Sequence, residues 1–93
     1  MYVIQLIGLV NGLATKFDGE YLKEYDPMRP GKYPDGRDMY FLLVTTPDRS
    51  EAKKFDTAVA VHVEWTRSSG RTRPDGKDDR PLTAFTISPE RVD

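Results

Sequence analysis

The chemistry open to this chain rests on carboxylates, basic side chains and one imidazole, because it has no cysteine and a single histidine, His62. Without thiolates there is no disulfide and no Cys-based zinc or iron–sulfur site. One imidazole with no thiol partner leaves little for a catalytic triad or the commoner zinc ligand sets, so His62 reads as a surface or packed residue. Asp75, Asp78 and Asp79 gather within five residues and could offer oxygen ligands to a divalent cation. Their spacing is not that of an EF-hand loop, however, and Lys77 and Arg80 stand among them as counter-charges. Asp18, Glu20, Glu24 and Asp26 could in principle supply a carboxylate pair for hydrolysis, but nothing fixes such a pair, and charges along a strand edge discourage edge-to-edge pairing. No glycine pattern matches G-x-G-x-x-G or a Walker A loop. The expectation is a non-enzymatic protein with no metal and no cofactor.

Basic residues make the stronger signal. Residues 67–80 hold Arg67, Arg71, Arg73, Lys77 and Arg80, with Trp65 at their base, a set that could grip phosphates and stack on a nucleobase. The three aspartates of the same segment cancel much of that field, and a formal net charge of −1 with 31% charged residues gives no global pull toward nucleic acid. The leading expectation is therefore a protein-binding module that uses these cations with Trp65 and the tyrosines Tyr21 and Tyr25. A nucleic-acid-binding module using the basic segment 67–80 is the alternative.

These side chains need a scaffold, and 93 residues with 38% apolar content and ten aromatics suffice for one domain, residues 1–93, with one modest core. Residues 1–10 are apolar and β-branched like a central strand. They lack a basic leader and cleavage site and are about half the length that spans a bilayer, so the expectation is a cytoplasmic protein that enters no membrane. Gly8 suggests a bulge and Asn11-Gly12 a chain reversal. Residues 19–25 read as a second, more exposed strand with Tyr21 and Tyr25 on one face. Residues 27–38, rich in proline and glycine, read as a mobile loop with a Pro34-Asp35-Gly36 turn, and residues 39–45 as a third strand. Residues 81–88 alternate as a final strand that Pro89 stops.

Between the third and last strands lies the segment that closes the core. Thr46 suits an N-cap and Pro47 a first helical position, with Asp48 and Glu51 in the first turn, so a helix or a broken helix pair is expected over about 47–68. Its inner stripe would be Ala52, Phe55, Ala58, Val61 and Trp65, with Arg49, Lys53 and Lys54 toward water. Residues 57–66 fit a strand as well as a helix; the upstream cap signals select the helix, which lays Trp65 over the sheet. Ser68-Ser69-Gly70 ends it, followed by a polar loop with a second Pro-Asp-Gly turn at residues 74–76. The fold expected is α+β: a mainly antiparallel sheet of about four strands with this helical segment packed on one face.

Three stretches together, Gly19-Glu20-Tyr21-Leu22-Lys23-Glu24-Tyr25-Asp26-Pro27, then Thr45-Thr46-Pro47-Asp48 with Ala52 and Phe55, then Arg73-Pro74-Asp75-Gly76-Lys77 with Arg80-Pro81-Leu82-Thr83-Ala84-Phe85-Thr86, give the chain a family likeness. It resembles small uncharacterised proteins encoded by bacteriophages and prophages. The resemblance implies an accessory protein that acts on a host target, an inhibitor or modulator in the bacterial cytoplasm, and it carries over no functional residue.

Overall fold

A computed structural model describes residues 1–92. Strands β1 (Tyr2–Leu9), β2 (Tyr21–Asp26), β5 (Leu42–Thr46) and β6 (Phe85–Arg91) form one antiparallel sheet in the order β5-β2-β1-β6, and α1 (Ala58–Trp65) is the α-helix. The chain is thus α+β, as its patterning requires. The near-continuous apolar run of β1 places it second from one edge, where Val3, Ile4 and Leu6 are wholly buried. Its register shifts between Leu6 and Gly8, the bulge that Gly8 announced, and Leu9 beyond the shift packs against the core.

A second bulge was not legible and alters the reading of β2. The pairing steps from Leu22↔Thr45 to Glu24↔Val44, leaving Lys23 as the extra residue. Beyond a bulge the faces of a strand exchange, so Leu22 and Tyr25 both enter the core and Tyr21 lies apart from them. Tyr21 and Tyr25 do not share an exposed face.

The closing segment is a broken helix pair with an extended middle. Arg49–Glu51 makes one 3₁₀ turn capped by Asp48, whose side chain accepts from Ser50 N–H, while Thr57 caps α1 by accepting from Ala60 N–H. Thr46 caps neither; its hydroxyl accepts from Asp48 N–H. β1 and β2 pair only at Gln5↔Tyr21, and residues 52–55 run into the gap between them: Lys53 N–H bonds Leu22 O at 2.9 Å, and Tyr2 and Phe55 exchange both backbone bonds. This pairing holds Phe55 inside by a strand-like contact, so the expected helical stripe through Ala52, Phe55 and Ala58 does not exist, and Ala58 is exposed. Val61 is the apolar residue that α1 buries fully. Trp65 is only half-buried, its indole N–H donating to Phe85 O at 3.2 Å, so Phe55, Val61 and Phe85 carry more of the closure than the tryptophan.

Two segments read as loops are hairpins. β3 (Gly31–Lys32) pairs with β4 (Asp38–Met39), and residues 69–79 pair through Thr72↔Asp78 and the bonds Ser69 N–H to Asp79 O and Asp79 N–H to Arg71 O. Both tips use one construction: residue 33 or 73 donates to the carbonyl of 37 or 77, and the glycine, at φ +91° or +83°, donates back to the carbonyl of 33 or 73. Asp35 and Asp75 each accept the N–H two residues on. Gly31 has a different task, because a Cβ there would lie 2.8 Å from Phe41 O and 2.9 Å from Leu42 Cα; β3 can approach β5 this closely only without a side chain.

The final strand is displaced from its expected bounds. Pro81–Ala84 is a 3₁₀ turn and β6 runs from Phe85 through Pro89 to Arg91, because Pro89 sits on an edge strand where its missing N–H breaks no ladder bond.

Candidate functional site

Three arginines lie over three tyrosines, and their settings separate structure from surface. Arg67 stands over the Tyr25 ring at 5.7 Å, Arg71 over Tyr40 at 5.3 Å and Arg37 over Tyr33 at 4.9 Å. Tyr25 is 3% exposed, and its hydroxyl accepts from Leu82 N–H; burial pushes its phenol up to about 12, against the smaller opposing effects of that bond and of Arg67. Arg67 donates to Tyr25 O at 3.0 Å and to Glu64 Oε1 at 2.8 Å, while Lys53 Nζ meets Glu64 Oε2 at 2.6 Å. Glu64, 5% exposed, is therefore a buried carboxylate clamped by two cations that fastens α1 to β2 and to residues 52–55. Arg67 and Tyr25, expected to meet a partner, belong to this fastening.

The other predicted cations are dispersed. Arg73 pairs with Asp75 at 3.3 Å and Arg80 with Asp78 at 3.2 Å, across the exposed second hairpin. Asp78 is held below the usual carboxylate range, first by the Ser68 hydroxyl and then by Arg80. Lys77 is exposed at the hairpin tip and makes no ion pair among the described residues. Nor do three His, Asp or Glu side chains converge on one point among the described residues. Tyr21 lies near Glu90 and Arg49 on the opposite side of the sheet; partial burial raises its phenol, and the neighbouring Glu90 carboxylate adds to this. Trp65 lines a second groove, with β6.

Only Arg71 among the predicted residues joins a concentrated face, and its partners were missed. Arg71 donates to Tyr40 O at 3.2 Å while covering the Tyr40 ring, and Tyr40 packs edge-on against Phe41 at 4.9 Å. Burial raises the Tyr40 phenol, and nearby Asp79 adds to it. Tyr40 nevertheless stays 51% exposed, and Met28, whose methyl lies near Gly70, stays 68% exposed. Alongside runs an open groove of about 580 Å³, walled by Phe17, Phe41 and Phe85 and rimmed by Lys16, Asp35 and Arg37. Tyr33 stacks on Phe17 at 6.2 Å and carries Arg37, which Asp35 in turn holds at 2.8 Å. The backbone bond from Arg37 N–H lowers the Asp35 carboxyl, as does the paired guanidinium. The clue in the sequence was turn chemistry: a hairpin closed by Pro34-Asp35-Gly36 must put residues 33 and 37 side by side.

No protein-family model matches the chain, and no curated protein or solved structure gives a significant match. No helix among the described residues is long and apolar enough to cross a membrane.

Proposed function

We propose that this chain is a non-enzymatic protein-binding accessory module whose contact surface is the face formed by Tyr33, Tyr40, Met28, Arg37 and Arg71 beside the 580 Å³ groove. One observation carries the reading: Tyr40 is half exposed yet held between Phe41 and Arg71, so an aromatic anchor is already ordered at the surface. Tyrosine, arginine and methionine are the residues that protein interfaces concentrate, and a pre-ordered anchor loses little rotamer entropy on binding. The resemblance to phage-encoded proteins directs the proposal toward a host protein that the module inhibits or modulates in the bacterial cytoplasm. The nucleic-acid reading has less behind it, since Arg67 is engaged by Glu64 and Arg73 and Arg80 each face an aspartate.

A photo-reactive phenylalanine at position 40 tests this in a bacterial lysate. The expected result is one protein adduct in stoichiometric yield, lost with Arg71→Ala or Met28→Ser and kept with Val59→Ser. No adduct, or adducts indifferent to those substitutions, would refute the proposal, and a nuclease-sensitive adduct would favour nucleic acid.

A further inference from the structure

β6 is an edge strand, and the polar groups on its free side can be assigned residue by residue. Tyr2 exchanges its backbone bonds with Phe55, at 2.7 and 2.8 Å, and Leu6 bonds Glu20 O and Gly19 N–H, at 2.8 and 2.6 Å. Both residues thus turn their polar groups away from β6. Their ladder partners Arg91 and Ile87 must then turn theirs outward, as must Pro89, which lies between them opposite Ile4. The carbonyls at the ends of this outward row are already occupied. Trp65 Nε1 donates to Phe85 O and Arg49 Nη2 to Arg91 O, at 3.2 and 2.7 Å, while Phe85 N–H is spent on Leu82 O. Pro89 has no N–H. What stays open in the middle is the N–H and C=O of Ile87, with the Pro89 carbonyl next to it.

Beside these groups lies an apolar groove of about 420 Å³ between β6 (Phe85, Ile87, Pro89) and α1 (Ala58, His62, Trp65), with no Asp, Glu, Lys or Arg in its lining. α1 carries apolar residues on every side, Val59 and Val63 being 72% and 57% exposed, which suits a helix covered by protein on more than one face.

The geometry points to a second copy of this chain as the occupant, its β6 pairing antiparallel with this one about a two-fold axis at Ile87. The donor and acceptor of Ile87 then meet the acceptor and donor of the other Ile87, the self-complementarity that an isologous contact demands. In that register Ser88 faces Thr86, a favourable hydroxyl pair, and Pro89 faces Phe85. The donor that Pro89 lacks falls opposite the Phe85 carbonyl that Trp65 has already filled, so no N–H is stranded. No like charges oppose each other between residues 85 and 89. Two four-stranded sheets become one of eight strands, and the two grooves fuse into a single apolar seam flanked by both α1 helices. This contact is independent of the Tyr40 face and stands whether or not that face binds a host protein.

Sedimentation equilibrium combined with amide exchange on the unaltered chain provides the test. The mass should rise with concentration from 10.6 kDa toward twice that value. The Ile87 amide should exchange more slowly by roughly tenfold or more as the dimer fills, while the Ser88 amide, turned toward β1, is protected throughout. Ile87→Lys, which sets two ammonium groups side by side, should hold the protein at the monomer mass with a native spectrum. A monomer at every concentration would overturn the inference, and so would a dimer in which Ile87 exchange ignores concentration. Should the lysine variant not fold, the exchange measurement decides alone.

Discussion

Arg67 on Tyr25 and Arg71 on Tyr40 are the same pair of side chains in two environments, and the difference between them separates what folds this protein from what it can offer a partner. Arg67 is itself partly buried, the buried Glu64 carboxylate needs its charge, and the guanidinium also satisfies the Tyr25 carbonyl. Around Arg71 the ring is half exposed and the guanidinium faces solvent, so the pair orders a surface without supporting a core. Arginine–tyrosine stacking has no fixed role; burial and the neighbouring carboxylate decide it.

The largest effect should follow from breaking the buried member. Arg67→Ala leaves Glu64 with Lys53 alone and should cost about 2–3 kcal/mol, read as a lower urea midpoint at unchanged slope. Next comes pH. The Tyr25 phenol ionises near its ordinary value of 10 when unfolded and at about 12 when folded, so above pH 10 the folded state keeps a proton that the unfolded state releases. Its contribution is intact below about pH 10 and is lost as pH climbs to about 12, on the order of 2 kcal/mol, and Tyr25→Phe should flatten that part of the profile. Arg71→Ala should change stability by less than about 1 kcal/mol while abolishing the position-40 adduct. Arg73→Ala, which removes one exposed ion pair at a hairpin tip, should shift the midpoint least, by under about 0.5 kcal/mol.

Much of the scaffold was legible in the sequence, and the part that was not has identifiable causes. The apolar runs of β1 and β5, the Gly8 bulge and both Pro-Asp-Gly turns declare themselves through composition and torsional preference. The Lys23 bulge has no marker of its own: only pairing with β5 creates it, and it alone carries Tyr25 from the expected surface into the core. Residues 31–39 and 69–79 have strands too short to show alternation, so their turns were visible and their pairing was not. Phe55 spaced three residues from Ala52 imitates a helix, and the gap between β1 and β2 that straightens the segment is a tertiary fact. The same blindness explains the site. The sequence shows five cations in residues 67–80 but not that three of them face carboxylates, and it shows Tyr33 and Tyr40 without the hairpins that bring arginines onto them.

Double-mutant cycles on Arg67 with Glu64 and on Arg71 with Tyr40, followed by urea unfolding, test the division of roles most directly. A coupling of about 2–3 kcal/mol in the first cycle and below about 1 kcal/mol in the second is the predicted result. Equal couplings, or a larger one at Arg71, would contradict it and return the Tyr40 face to the fold.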